Sequence, residues 1–397
     1  MQHSRSEEFS RQAKLPVVCI VGTRPEVIKM APVIRRLKET DWAEVHVVSS
    51  GQQNDLLSNA LADFDLVPDH VIAHHSDNST PTALHGSLGP SLDKLFERLR
   101  PACVIAQGDT TTVFTASIAA FYRKVPFVHV EAGLRTQDVF APFPEEFHRR
   151  AIAAGTALHC APTASALANL RKENIAADRI VMSGNTVIDA LLQMAGFAPT
   201  PPDDFPKGRT ILMTAHRREN FGAPLVEAFT AVRAFVDLHA DVSVYFPVHP
   251  NPNAQSVARQ VLSGHPRIHL VEPLGYRHLV AVLQNAWCVL TDSGGLQEEA
   301  PALGKPVLVL RDVTERPEAV DAGVVEIVGT ARQPVFDALE SLYRDAGKYA
   351  RMSRPVFPYG DGKASKRIVD AIRETLAVEE VGAEVIDLSR VRAGGRR

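Results

Sequence analysis

The residues with the clearest chemical potential lie in TDSGGLQEEAPALG, Thr291 to Gly304. The apolar run Trp287 to Leu290 ahead of them reads as a buried parallel strand. Ser293, Gly294 and Gly295 follow, and Leu296 to Leu303 reads as a short helix stopped by Gly304 and Pro306. Two glycines let the backbone approach a ligand closely. Free amides, a hydroxyl and no side-chain bulk at a helix start make a phosphate site. Glu298 and Glu299 fall in the expected first turn, where the macrodipole alone favours them and where a nucleotide's ribose would also lie within reach. Asp292-Ser293-Gly294 equally fits an ordinary turn.

Further polar groups gather where strands end. In the first half they are Arg24, Asp109 in QGDTTT, Glu131 and Arg135 in HVEAGLRT, and Glu145 and Glu146 in PFPEEFHRR. In the second half they are His216, Arg217 and Arg218 in TAHRRENFG, His249 in PVHPNP, and Arg311 and Arg316 in LRDVTERPEA. Each has a structural alternative. Asp109 is placed to cap a helix, Glu131 to pair with Arg135, Glu145 and Glu146 to fill a first helical turn, and His216 to be a satisfied structural histidine. No histidines stand in a metal-binding register, and His74-His75 reads as a solvated loop pair, so no metal is expected.

Positioning these groups takes alternating strands and helices. Strands are expected at 17–21, 45–49, 69–72, 102–106, 126–130, 157–161 and 180–182, then at 209–213, 242–246, 268–271, 287–290, 307–310 and 324–328, with helices between. This alternation predicts α/β architecture with parallel sheets covered on both faces. The chain is 397 residues long, too long for one core. The proline-rich stretch Gly196 to Gly208 is the natural linker. The expected division is a domain at 1–195, a linker at 196–208, a second domain at 209–362, a helix at about 363–380 returning to the first domain, and a flexible tail at 381–397.

Composition narrows the function. The chain is 45% hydrophobic and 22% charged, with a formal net charge of −3, and offers no electrostatic reason to bind nucleic acid or acidic membrane. The polar start lacks a signal-peptide core, and no apolar run is long enough to span a bilayer. Cys19, Cys103, Cys160 and Cys288 lie in apolar runs without CxxC spacing, which predicts buried thiols and a cytoplasmic location. No GxGxxG follows the first strand, which argues against a dinucleotide cofactor.

Taken in order, GTRPEVIKMAP, QGDTTT, HVEAGLRT, GNTVIDAL, TAHRREN, PVHPNP, TDSGGLQEEAPALGKPVL and TERPEA, spread over about residues 15–375, closely resemble the non-hydrolysing UDP-N-acetylglucosamine 2-epimerases. The resemblance implies two doubly wound Rossmann-like domains facing across a cleft in the glycosyltransferase B-type arrangement. It implies a homodimeric isomerase that needs no cofactor, interconverts UDP-GlcNAc and UDP-ManNAc through a 2-acetamidoglucal, and supplies ManNAc for surface polysaccharide. By motif, Asp109, Glu131, Glu145 and His216 are then catalytic. Arg24, Lys29, Arg149, Ser293, Gly294, Gly295, Glu299 and Arg316 bind the UDP-sugar substrate and UDP, with Arg24 beside His216 at the diphosphate and Glu299 at the ribose. Family members often carry Gln-His where Gln52 and Gln53 stand, in a loop that can hold an activating second UDP-GlcNAc, and Asn where His148 stands. A hydrolysing epimerase, a UDP-sugar glycosyltransferase and a catalytically silent UDP-sugar sensor share parts of the pattern. The full set of three carboxylates and His216 favours epimerisation.

Overall fold

The structure, a computed structural model, describes residues 14–51, 54–72, 80–136 and 138–386. Gln52 and Gln53, His74 and His75, and the chain beyond 386 lie outside them. Two compact units emerge. In the first, β1 (Leu15–Val21), α1 (Arg24–Lys38), β2 (Ala43–Ser49), α2 (Asn54–Asp63), β3 (His70–Val71), α3 (Pro81–Leu99), β4 (Cys103–Gln107), α4 (Thr111–Tyr122), β5 (Phe127–Val130), α5 (Glu145–Gly155), β6 (Leu158–Ala161), α6 (Ala164–Lys172) and β7 (Ile180–Met182) alternate. The second holds α7 (Thr186–Gly196), β8 (Arg209–Thr214), α8 (Ala223–Leu238), β9 (Val242–Pro247), α9 (Pro252–Leu262), β10 (Ile268–Val271), α10 (Tyr276–Asn285), β11 (Cys288–Thr291), α11 (Gly294–Ala302), β12 (Val307–Val309), α12 (Pro317–Asp321), β13 (Val325–Ile327), α13 (Arg332–Arg344) and α14 (Ala346–Met352). α15 (Ala364–Ile386) belongs, from Ser365, to the first unit.

Every strand pairing is parallel. The strands therefore need cover on both faces, which is why β1 and β11 are continuous apolar runs. In the first unit Val18, Ile20, Val104 and Ala106 pack with Leu88 and Leu92 of α3 and Val113 and Ala116 of α4. In the second, Ile211, Met213, Leu290 and Leu308 pack with Phe229 and Phe235 of α8. Strand order is β3-β2-β1-β4-β5-β6-β7 in one sheet and β10-β9-β8-β11-β12-β13 in the other. Chain direction across the sheet thus reverses between β1 and β4, and again between β8 and β11. Such switch points leave a crevice beyond the strands' carboxyl ends, the place where ligands of these folds bind.

The unit boundaries differ from the sequence expectation. The chain passes between units at 183/184 and 364/365, so α7 and the stretch Gly196 to Gly208 lie inside the second unit. α7 buries Val187, Ile188, Leu191 and Met194 and packs on α10 and α11. The proline-rich stretch is fastened to the same unit, with Phe205 edge-on to Tyr245 and Asp204 accepting the Tyr245 hydroxyl at 2.9 Å. Proline density reveals an irregular segment; it does not reveal which core the preceding helix covers. α15 also runs past residue 380 to Ile386, because a lone Gly382 among good helix formers weakens a helix without ending it. Among the described residues no helix is long and apolar enough to cross a membrane. All four cysteines are buried, and burial pushes the Cys19 thiol up to about 12.

His129 of β5 and His159 of β6 stand side by side in register, buried at 2% and 0% exposure. His129 engages the Gly108 carbonyl through Nε2 at 2.7 Å, while neither ring nitrogen of His159 has a partner among the described residues. Burial lowers His129 to about 4 and His159 to about 3, with each other's charge adding to the effect at His159. Both stay neutral in the fold where an unfolded chain would protonate them near 6.5, so their contribution is complete above that value and is lost as pH falls toward 4. A shift of this size corresponds to about 3 kcal/mol for His129. His159→Leu should flatten the pH dependence of stability between pH 6.5 and 4 relative to wild type and cost little at pH 8, as urea titrations at a series of pH values would show. An unchanged slope would mean that the pair does not stay neutral.

Candidate active site residues in the two units

At the first switch point, β1 delivers Gly22-Thr23-Arg24-Pro25-Glu26 and β4 delivers Gly108-Asp109-Thr110. A Cβ on Gly22 would lie 2.4 Å from the Ser50 hydroxyl and 2.6 Å from that of Thr112, so only glycine fits. Thr23 and Glu26 form a capping box at the start of α1. The Glu26 carboxylate accepts the amides of Gly22 (2.6 Å) and Thr23 (3.2 Å) and the hydroxyl of Thr110 (2.7 Å), tying the two turns together. Burial pushes Glu26 up to about 7, against the pull of these donors. Arg24, at the first position of α1, has no hydrogen bond or ion pair among the described residues.

The three expected catalytic carboxylates lie in this unit, in unlike surroundings. Asp109 does not cap α4; Thr110 does, accepting from Val113, which leaves Asp109 to bind Arg149 Nε at 2.7 Å. The Asp109 carbonyl accepts from His148 Nδ1 at 2.8 Å, and the His148 ring stacks on Phe114 at 4.9 Å. Arg149 therefore holds a catalytic candidate as well as standing beside it. Glu131 sits at φ +63 on the turn after β5, and both its oxygens accept from Lys29 Nζ at 2.7 Å while Gln107 Nε2 donates to it as well. The structural alternative for Glu131, a pair with Arg135, is not what forms: Arg135 reaches Glu173 at 2.6 and 2.7 Å instead. Glu145 opens α5, half-buried, without an ion pair among the described residues. Its neighbour Glu146 is fully buried, taking the Thr136 amide at 3.0 Å and Arg150 Nε at 2.8 Å, a structural keystone rather than a reactive group.

The second unit repeats the design. His216 follows the end of β8 by two residues and Asp292 follows β11 directly. Asp292, fully buried, accepts the amides of His216 (2.9 Å) and Arg217 (2.9 Å) and the Asn220 side chain (3.2 Å), and lies 3.0 Å from His216 Nδ1. Burial alone would raise the Asp292 carboxyl, yet the hydrogen bond and charge of His216 and the two amides hold it below its ordinary value. His249 stacks on His216 at 5.6 Å, and burial, then His216, lowers its pKa. Among the described residues no three His, Cys, Asp or Glu side chains gather in a metal-binding group.

α11 starts at Gly294, two residues earlier than expected, with Ser293 as its N-cap. The Ser293 hydroxyl makes no capping bond, which leaves it to a ligand. The earlier start moves Glu298 and Glu299 out of the first turn, so the macrodipole does not account for them. Glu298 binds Arg316 Nε at 2.6 Å and Asn185 Nδ2 at 2.7 Å; Glu299 accepts the Tyr276 hydroxyl at 2.8 Å. The Arg316 guanidinium lies over the helix start, where a Cβ on Gly294 would come within 2.8 Å of its Cζ and Nη1. Ser293, Gly294, Arg316 and Glu299 are thus assembled around one helix terminus, an arrangement whose amides and guanidinium have the chemistry to meet a phosphate. The sequence reading takes Asp292 only as part of a possible turn and does not single out Tyr276, Gln107 or Glu26 as site residues. Of these only Asp292, a lone acid directly before Ser-Gly-Gly, carried a local signal.

A family profile described as UDP-N-acetylglucosamine 2-epimerase matches residues 35–373. The Bacillus subtilis (strain 168) UDP-N-acetylglucosamine 2-epimerase is 43% identical over 361 residues, covering 90% of this chain and 95% of the relative. The Escherichia coli (strain K12) enzyme of the same name is 40% identical over 370 residues, covering 90% and 98%. Among solved structures, S. aureus MnaA with UDP superposes with a TM-score of 0.84 at 40% identity, covering 91% of this chain and 97% of that one. The Neisseria meningitidis UDP-GlcNAc 2-epimerase bound to UDP-GlcNAc gives 0.84 at 38% identity, covering 91% and 100%. With its profile match over most of the length, its relatives near 40% identity and its two doubly wound sheets, this chain belongs to the UDP-N-acetylglucosamine 2-epimerase family.

Proposed function

We propose that the protein is a non-hydrolysing epimerase that interconverts UDP-GlcNAc and UDP-ManNAc by eliminating UDP and adding it back. The observation that carries this reading is the cradle of the second unit, with Arg316 over the α11 terminus and a buried-carboxylate-held histidine at the same switch point. The sugar's C2 hydrogen is not next to a carbonyl, so a base alone cannot remove it. Most of the barrier has to be lowered at the leaving group, and fixed positive dipoles and charges at a diphosphate do that. In the forward step the C2 proton passes to a carboxylate, the C1–O bond breaks with its electron pair going to UDP, and the C1=C2 bond of the 2-acetamidoglucal forms. The reverse addition returns a proton to the opposite face of C2.

Ser293, Gly294, Gly295, Arg316, His216 and Arg24 are assigned to phosphate and Glu299 to ribose. Asp109, Glu131 and Glu145 are assigned to the sugar, where they balance oxocarbenium-like charge at C1 and move the C2 proton. Arg149 and Lys29, read from sequence as substrate ligands, act through the carboxylates they hold. Glu145 differs from the other two in having no ion pair among the described residues. The homodimer, the cytoplasmic location and the supply of ManNAc for surface polysaccharide accompany this reading through the family resemblance.

Incubation with UDP-GlcNAc in deuterated water should give a mixture with UDP-ManNAc bearing one deuteron at C2, without added metal or nicotinamide, as followed by NMR. Epimerisation with C2 fully protonated would exclude elimination, and free ManNAc as main product would indicate the hydrolysing reaction. His216→Asn and Glu145→Gln should each lower turnover on the order of 10²–10⁴-fold. Only Glu145→Gln should release UDP and the glucal on long incubation, because its diphosphate cradle is intact; equal release by both variants would refute the division of roles. Gly294→Ala should leave the fold intact, since the atoms it meets are the far end of the Arg316 side chain and not backbone. Calorimetry should nonetheless show UDP binding weakened about tenfold, roughly 1.4 kcal/mol; unchanged affinity would remove Arg316 from the cradle.

A further inference from the structure

We infer that Asp292 is the positioning residue for the leaving-group step: it fixes His216 in the tautomer that carries its proton on Nδ1 and turns Nε2 outward, and it supplies the counter-charge when that ring is an imidazolium facing the diphosphate. The inference rests on the assignment of His216 to the diphosphate. An ionised carboxylate only accepts hydrogen bonds, so the 3.0 Å contact between Asp292 Oδ1 and His216 Nδ1 places the hydrogen on the histidine. Asp292 cannot swing away. It is fully buried and receives the amides of His216 and Arg217 and the Nδ2 of Asn220, which also donates to the Leu310 carbonyl at 3.1 Å. The imidazole is restrained from a second side by the His249 ring, stacked within 20° of parallel. At 38% side-chain exposure, His216 meets solvent over part of its surface while its Nδ1 edge is taken.

As the C1–O bond of the substrate breaks, negative charge grows on the diphosphate, and a positive Nε2–H answers it best. An imidazolium lying between two anions, one buried and one departing, needs no reorganisation as the charge develops. Asp292→Asn keeps the shape, and its remaining oxygen can still accept a backbone amide. Its amide group would then face Nδ1 with a hydrogen, so the neutral ring would turn to the Nε2–H tautomer and the imidazolium would lose its partner. A neutral Nε2–H still donates to bound UDP. Ground-state binding therefore survives while the charge specific to the transition state is lost.

The test combines a spectroscopic signature with kinetics. With ¹⁵N-labelled histidine, two-bond ¹H–¹⁵N correlation at about pH 8.5, above the ordinary histidine range, reports each neutral tautomer. The His216 signal is the one missing from His216→Asn. Wild type should show His216 as the Nδ1–H tautomer and Asp292→Asn should show it as Nε2–H. In Asp292→Asn, kcat should fall on the order of 10²–10⁴-fold while the calorimetric Kd for UDP stays within about threefold. An Nε2–H tautomer in the wild type overturns the proposal, and so does an Asp292→Asn enzyme with near-normal kcat. Should Asp292→Asn not fold, judged by circular dichroism, the wild-type tautomer decides alone. Normal turnover by His216→Asn, with the Nδ1–H tautomer present, would instead sink the assignment of His216 while leaving the geometry standing.

Discussion

A buried carboxylate at the point where each sheet reverses its order ties two strand-end turns together, and the placement of the polar residues follows from it. Helices leaving neighbouring strands at a switch point go to opposite faces, so the turns between them diverge and leave backbone amides without sheet or helix partners. Glu26 collects the amides of Gly22 and Thr23 and the hydroxyl of Thr110 in the first unit. Asp292 collects the amides of His216 and Arg217 and the Asn220 amide group in the second. Burying a carboxylate is unfavourable unless several donors meet it, and both have several. Arg24 and Ser293 stand within two residues of these anchors, Asp109 precedes the Thr110 that Glu26 holds, and His216 donates its own amide to Asp292.

Around the anchors, reactive candidates are held by opposite charge: Asp109 by Arg149, Glu131 by Lys29, His216 by Asp292, and Arg316 by Glu298. These pairs are partly or wholly buried, where the surrounding protein screens charge less than water does and an unpaired ion would be costly. The arrangement presets direction. A lysine bonded to both oxygens of Glu131, on a backbone at φ +63, leaves that carboxylate little freedom to turn.

How much of this was legible follows from range. Strand and helix alternation is local, and all the strands appeared where apolar runs bounded by turn residues placed them. The glycine-rich helix start was legible for the same reason. Long-range partners were not: Arg135 bonds Glu173, and Glu131, four residues before it, is taken by Lys29 from α1. Nor could composition show that α7 buries its apolar face in the second unit, which moved the boundary from the proline-rich stretch to 183/184. The first turn of α11 misled for a subtler reason. Glycines favour loops, so sequence alone starts the helix after them and keeps the dipole open as one account of two glutamates that in the fold lie beyond its first turn.

His148, buried in α5, joins the turn that carries Asp109 to the face of α4. Its Nδ1 donates to the Asp109 carbonyl at 2.8 Å, and its ring lies flat on Phe114. An asparagine at this position could donate to the same carbonyl through its amide but would offer no ring to stack. The bond that locates Asp109 is therefore available to both residues, and what histidine adds is packing across α4 and α5. Burial lowers the His148 pKa and so favours its neutral form, in which Nδ1 still carries the donated hydrogen. His148 thus acts on the backbone that carries the Asp109 side chain, through a hydrogen bond that asparagine could replace and a stack that it could not.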